Sequence, residues 1–408
     1  MKRPLELGRK PKPRDSAANA DLLAEFEHAK APSFDPILPG SILGVLGGGQ
    51  LGRMFAIAAR ELGYRIYVYA PESDSPAGQI GDREFSFPYE DLDRVREFAR
   101  QVQVVTFEFE NVPVASTAAA AEFTSVRPDG WVLHITQNRL REKSFLHEHG
   151  FPVTPFRAIG SESDLKAAVK DLGLPGILKT AAFGYDGKGQ LKVVEAAQTK
   201  SAWETLEGRE GIYESFVGFQ KELSVIVART VHGGMQIFPV FENSHLDRIL
   251  DLTFAPADVP PKLHEQAVDL ASNITEKLEV VGLLTVEMFV TPKGQLLVNE
   301  LAPRPHNSGH LTIDACVTSQ FEQQVRAVCS LPLGRTELRE PAAMGNLLGQ
   351  LWGNGEPDWA AALEDPWVKL HLYGKAEPRP GRKMGHITAT GATAKEALAR
   401  VVQARNRL

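Results

Sequence analysis

The chain has 408 residues, 43% hydrophobic and 24% charged, enough for roughly two to four compact globular units. Its formal net charge of −6 argues against a general polyanion binder such as a nucleic-acid coat, while leaving room for a local basic pocket. The two cysteines, Cys316 and Cys329, lack CxxC spacing, and no apolar run approaches the roughly 18 residues of a membrane span. A disulfide framework, a cysteine-rich metal centre and a membrane protein are therefore not expected, and a cytoplasmic location is.

Residues 1–39 read as a flexible N-terminal extension. Lys2, Arg3, Arg9, Lys10, Lys12 and Arg14 make its start basic, with no apolar signal-peptide core behind them. Asp15, Asp21, Glu25 and Glu27 speak against a transit peptide, and one short helix is expected near residues 21–30. Residues 40–140 read as a doubly wound α/β domain. An apolar run at 41–46 leads into Gly47-Gly48-Gly49-Gln50-Leu51-Gly52, which opens a helix with Leu51, Met54, Phe55, Ala58, Ala59 and Leu62 at helical spacing. A β-rich stretch follows at 64–70, and a second apolar run at 102–109 ends in Glu108-Phe109-Glu110-Asn111. Ligands of such sheets gather at the carboxyl ends of the strands, so the glycine loop and the acidic tip point to one crevice. The loop satisfies GxGxxG, and Glu72 follows at about the distance of a nicotinamide fingerprint. Glycine-rich strand–helix turns accept many anions, so the motif alone does not name one.

Residues 141–330 form the second unit, with 152–217 reading as strand, helix, strand, glycine loop, strand and a further strand. Lys179 ends a buried strand, and Gly184-Tyr185-Asp186-Gly187-Lys188-Gly189-Gln190 follows as a glycine-rich hairpin. No GKS or GKT opens a helix there, so this is not a Walker loop. It is a flap whose backbone can approach phosphates, with Lys179 and Lys188 supplying point charges. Glu214-Ser215-Phe216-Val217 reads as a hinge offering backbone groups to an adenine edge, and Glu222 suits a ribose hydroxyl pair.

Two strands at 282–290 and 295–301 carry Glu287 and Glu300. If Val290 and Gln295 close a four-residue hairpin, residues whose numbers sum to 585 face each other. Glu287 then stands opposite Val298, and Glu300 projects from the same face. Two carboxylates on otherwise apolar strands need a cation between them, and magnesium bridging Glu287, Glu300, Asn299 and nucleotide phosphates meets that need. The stiff exit Ala302-Pro303-Arg304-Pro305-His306-Asn307-Ser308-Gly309-His310 suits contact with substrate anions. Residues 331–408 read as a small β-rich domain closed by a helix at 394–408.

Together these strings resemble the ATP-grasp enzymes, an α/β fold with an N-terminal doubly wound parallel-sheet domain (pre-ATP-grasp) and a small β-rich C-terminal domain. Within them the sequence is similar to the N5-carboxyaminoimidazole ribonucleotide synthetases of purine biosynthesis. That similarity rests on GGGQLGRM at 47–54, TFEFENV at 106–112, NELAPRPHNSGH at 299–310, YGK at 373–375 and GRKMGH at 381–386, and runs from about residue 42 to the end. The resemblance implies ATP held by Arg139, Lys179, the 184–190 flap, residues 214–217, Glu222, His245, Asn299 and Glu300, with magnesium on Glu287 and Glu300. It implies substrate contacts from Gln50, Leu51, Glu108, Asn111, Tyr185, Asp186, Arg304 and His306, with Lys375, Arg382 and Lys383 around a ribonucleotide phosphate. Tyr185, Asp186, Lys188, Arg304 and His306 would carry the catalysis, with Asp186 and His306 both open as acceptors of the amine proton. The implied reaction joins bicarbonate to 5-aminoimidazole ribonucleotide at the expense of ATP, in a homodimer with no nucleic-acid partner. Sister ATP-grasp ligases share the flap and carboxylates but not the 108–111 and 375–383 strings. A nicotinamide oxidoreductase would leave Glu287 and Glu300 idle, and a nucleotide sensor would bind ATP without turnover.

Overall fold

The computed structural model describes residues 34–182 and 189–408. Residues 1–33 of the extension, and Gly184, Tyr185, Asp186, Gly187 and Lys188 of the flap, lie outside the described residues. Among the described residues the strands form three sheets.

The first is parallel. It holds β1 (Ile42–Leu46), β2 (Arg65–Ala70), β3 (Arg83–Ser86), β4 (Val104–Phe107) and β5 (Ser125–Val126), in the order β3-β2-β1-β4-β5. Alternate residues of β1 enter opposite cores, Leu43 and Val45 on one face and Leu46 on the other, as a sheet covered on both sides requires. The helix Gln50–Glu61 buries Leu51, Met54, Phe55, Ala58 and Ala59 against the first face. The distant helix Gln320–Val328 adds Phe321, Val325 and Val328 to the same core. This packing locks the parallel-sheet unit to the helix Gln320–Val328.

The second sheet is antiparallel, in the order β6-β9-β7-β8, from β6 (Phe156–Ile159), β7 (Gly176–Thr180), β8 (Gln190–Val193) and β9 (Gly211–Ser215). The helix Glu162–Leu172 starts where the Ser161 hydroxyl accepts the Asp164 N–H, and it stops at Gly173, whose φ of 82° suits glycine. Its Leu165, Ala168 and Val169 pack on Leu178 and Tyr213.

The third sheet has nine strands: β10 (Lys221–Arg229), β11 (Met235–Ile237), β12 (Phe241–Leu246), β13 (Ile249–Ala255), β14 (Gly282–Val290), β15 (Leu296–Ala302), β16 (Ala342–Leu348), β17 (Val368–Leu372) and β18 (Lys383–Thr390). The order is β15-β14-β10-β12-β13-β16-β18-β17, with β11 beside β10. The C-terminal strands thus continue the central sheet through β13 and β16, with no break between them. The helix Ala394–Arg405 covers them, packing Ala397, Val401 and Ala404 on Leu347 and Ile387.

The hairpin of β14 and β15 corrects the expected register. The turn is one residue tighter than a four-residue loop: Thr291 N–H donates to Gln295 O and Gly294 N–H to Thr291 O, with Gly294 at a φ of 71°. Val290 therefore faces Leu296 and Met288 faces Val298. A one-residue bulge at Asn299 then shifts the pairing, so Glu287 stands directly opposite Glu300, not opposite Val298.

Candidate active site

The three sheets enclose one cleft of about 1150 Å³. It is lined at one end by Gln50, Leu51, Glu108, Asn111, Lys375, Arg382 and Lys383, and at the other by Arg139, Lys179, Gln190, residues 214–217, Glu222, His245, Glu287, Asn299 and Glu300, with Arg304 and His306 also on its wall. Apart from Gly189, every described residue singled out from the sequence for ATP, metal, substrate or catalysis borders this space.

The glycine loop is already occupied. Glu108, at the end of β4, accepts the Gly52 N–H at 2.8 Å and also the Gly49 N–H, so a protein carboxylate takes donors at the helix N-terminus. Burial outweighs these two bonds and the nearby Lys375, and raises the Glu108 carboxyl above its ordinary range. A Cβ on Gly47 or Gly49 would run into this carboxyl, which explains the glycines without a bound dinucleotide. Beside the loop, Lys375 donates to the Gln50 side-chain oxygen at 2.6 Å and to the Lys383 carbonyl at 2.7 Å. One lysine thereby joins the first helix to β18.

At the other end, Lys179 donates to Glu214 at 2.7 Å, both side chains being nearly buried. Burial pushes Glu214 up, but Lys143 and Lys179 together hold it below the usual carboxylate range. Glu222 accepts the His245 Nδ1–H. Burial opposes charge on that imidazole, yet the carboxylate more than offsets this and holds it above its ordinary value. Arg139 donates from its backbone to Ala181 O at 2.8 Å and from its side chain to Thr180 O at 3.0 Å, tying the helix Arg139–Glu148 to the chain entering the flap. Arg304 is paired with Glu110.

Glu287, half-buried, and Glu300, exposed, face each other across the hairpin. Burial and the facing Glu300 raise the Glu287 carboxyl to about 8, because a second negative charge nearby in a poorly solvated site disfavours ionisation. His306 Nε2 lies 3.1 Å from Glu287, and its Nδ1 faces the Ser308 hydroxyl at 2.9 Å. Burial, with Arg304 next, holds His306 well below its ordinary value, so the ring is neutral. Its orientation is supported by a buried ladder in which Ser308, Ser224, Asn243 and Thr253 are hydrogen-bonded in succession across β10, β12 and β13.

Sequence reasoning missed several groups. The Ser224–Thr253 ladder left no local signal, since its members meet only through strand pairing. Phe219 stacks on Phe289 at 4.6 Å on the cleft wall. Glu142 and Lys143 are both buried in the helix Arg139–Glu148. A signal existed there: they lie four and three residues before the core Leu146, so two charges share the inward face of the helix.

Comparison with known proteins follows the same division of the chain. Residues 41–137 match the ribonucleotide synthetase preATP-grasp domain, 144–321 the ATP-grasp domain, and 342–400 the phosphoribosylaminoimidazole carboxylase C-terminal domain. The chain is 46% identical to the N5-carboxyaminoimidazole ribonucleotide synthase of Bacillus subtilis, over 86% of this chain and 92% of that one. It is 43% identical to the enzyme of the same name from Brucella melitensis, over 86% and 96%. Its fold is similar to a crystal structure of the ADP complex of an N5-carboxyaminoimidazole ribonucleotide synthetase, with a TM-score of 0.86 at 41% identity over 91% and 97% of the two chains. The Aspergillus clavatus enzyme in complex with ADP and 5-aminoimidazole ribonucleotide has a TM-score of 0.82 at 32% identity, over 90% and 99%.

Proposed function

The chain belongs to the N5-carboxyaminoimidazole ribonucleotide synthase family of ATP-grasp ligases, and from that membership we propose that it carboxylates 5-aminoimidazole ribonucleotide with bicarbonate and ATP in purine biosynthesis. The observation that carries this reading is the cleft whose two ends are a directly facing carboxylate pair and a lysine bridge between the glycine loop and β18. A nucleotide and a phosphorylated acceptor each find a matching end, and the reacting groups meet between them.

In the proposed reaction a bicarbonate oxygen attacks the γ-phosphorus of ATP and the bond to ADP breaks, giving carboxyphosphate. The exocyclic amine then attacks the carboxyl carbon, directly or as released carbon dioxide, phosphate leaves, and the nitrogen gives up a proton. Lys179, steered by Glu214, and Arg304, steered by Glu110, stabilise the charge developing in the phosphoryl transfer. Arg139, Gln190, residues 214–217, Glu222 and His245 border the nucleotide, and Gln50, Leu51, Glu108, Asn111, Lys375, Arg382 and Lys383 the ribonucleotide. The flap at 184–190 would exclude water from the reactive anhydride. His306 is held neutral with Nδ1 on Ser308 and Nε2 on Glu287, an arrangement that favours Asp186 as acceptor of the amine proton.

The donor set fits magnesium: two directly opposed carboxylates, one of them raised by burial and then by the other, with Asn299 between them in sequence. Among the described residues no group of three or more His, Cys, Asp or Glu side chains converges to hold a metal, so Glu287 and Glu300 would share the ion with Asn299, water and nucleotide oxygens. Bound there, magnesium would neutralise phosphate charge.

The reading further includes a homodimer acting in the cytoplasm. No helix among the described residues is long and apolar enough to cross a membrane. The test is ADP release with ATP, magnesium and bicarbonate, with and without 5-aminoimidazole ribonucleotide. Strong stimulation by the ribonucleotide is expected, and its absence would sink the assignment.

A further inference from the structure

The bulge at Asn299 decides where the second carboxylate points. Were the pairing of Met288 with Val298 continued without it, Glu287 would face Asn299 and Glu300 would face Val286. Successive residues of a strand project to opposite faces, so the two carboxylates would then lie on opposite sides of the sheet. The extra residue in β15 is what brings them together.

β15 is an edge strand, and its outer backbone groups need partners from elsewhere. Val298 N–H is taken by Pro152 O at 2.8 Å. Val298 O accepts from Lys143 Nζ at 2.9 Å, and Leu301 N–H donates to Glu142 Oε2 at 2.9 Å. In a regular strand the outward-facing residues are two apart. Here Val298 and Leu301 both face outward three residues apart, which is the signature of one inserted residue between them. Adjacent charged residues of one helix thus bond the strand on either side of the bulge. Both are buried, Lys143 at 1% and Glu142 at 2% exposure, and neither acts on a ligand in the mechanism above.

We propose that Glu142 and Lys143 are positioning residues that clamp the Asn299 bulge and so hold Glu300 opposite Glu287. Slippage of β15 by one residue would leave Val298 O or Leu301 N–H buried and unpaired, a cost that the regular register would not recover. The same helix is tied to the entry of the flap through Arg139, so the clamp also sets the carboxylates against the nucleotide-facing strand. The inference rests on the ligase reading for its kinetic readout.

The experiment compares Glu142→Ala, Glu142→Asp, Glu142→Gln and Lys143→Met in the full chain. The magnesium concentration for half-maximal ADP release should rise by about 10- to 100-fold in Glu142→Ala and Lys143→Met, the range for supports behind metal ligands. The KM for 5-aminoimidazole ribonucleotide should stay within about twofold, because the other end of the cleft is untouched. Calorimetry gives a readout independent of turnover: ADP should bind the Glu142→Ala and Glu142→Asp variants as in wild type with EDTA present, but lose the gain in affinity that magnesium confers. Glu142→Gln retains an oxygen for Leu301 N–H and should restore most of the magnesium response. Glu142→Asp keeps the charge but falls short of Leu301, and it should fail like Glu142→Ala, replacing it should the alanine variant not fold. Unchanged magnesium constants in folded Glu142→Ala or Glu142→Asp, or an equal rise in the ribonucleotide KM, would overturn the inference alone. A wild type without magnesium-dependent turnover would overturn the ligase reading and this inference together.

Discussion

The two ends of the cleft are assembled in opposite ways. The carboxylates themselves are near neighbours, Glu287 and Glu300 sharing one hairpin, while their backbone supports come from Pro152 and from the helix Arg139–Glu148, 155 and 159 residues away in the chain. The ribonucleotide end is made of strangers, because Lys375 reaches Gln50 across 325 residues of chain. At the first, Glu287 is half-buried while Glu300 is exposed, and burial, with Glu300 next, raises the Glu287 carboxyl. The second is half open to solvent and is held by hydrogen bonds to the Gln50 amide and the Lys383 carbonyl. The contrast teaches where a substitution should hurt: chemistry at the first end, recognition of one ligand at the second.

The largest effect should come from Glu300→Gln. Steady-state ADP release should fall by at least about 10²- to 10³-fold, the scale of losing one preorganised electrostatic group. Thermal denaturation without magnesium should show equal or higher stability, because the repulsion with Glu287 is gone. Near-normal turnover would remove the carboxylate end from the chemistry and collapse the contrast. Lys375→Ala should act on the other side of it. The KM for the ribonucleotide should rise by about 10- to 100-fold, matching the loss of a hydrogen bond to a charged group, while the KM for ATP barely moves. Parallel increases in both constants would mean that the two ends are one site.

The smallest effect is a pH slope. The raised Glu287 carboxyl binds its proton more tightly in the folded protein, so between its ordinary value of 4.5 and about 8 its ionisation removes stability as pH rises. His306, His310 and His386 run the other way: burial holds each well below 6.5, so they remove stability as pH falls below that value. Between pH 6.5 and about 8 these three histidines drop out, but the raised Glu142 and His245 also remove stability as pH rises, so only the comparison with Glu287→Gln assigns the Glu287 share. In EDTA the melting temperature of the wild type should fall across that window by a few degrees more than that of Glu287→Gln, and magnesium should flatten the difference. Identical slopes in the two proteins would show that the pair is not strained as its geometry implies.

Much of this architecture is legible in the residues. The 3.6-residue spacing of Leu51, Met54, Phe55 and Ala58 marks the first helix, because a helix lying on a sheet must bury one stripe. Apolar strands interrupted by Lys179, Glu287 and Glu300 mark the site, because a charge among core residues is costly unless something answers it. Three things needed the folded chain. The identity of the loop's anion, the Glu108 carboxylate, depends on β4 lying beside β1. The facing of Glu287 and Glu300 depends on a tight turn and a bulge, each shifting register by one residue, and such shifts leave no trace in periodicity. The clamp by Glu142 and Lys143 depends on where a helix lands on an edge strand. Local chemistry is written in neighbouring residues, whereas register and partner choice are settled by contacts that exist only once distant segments have packed.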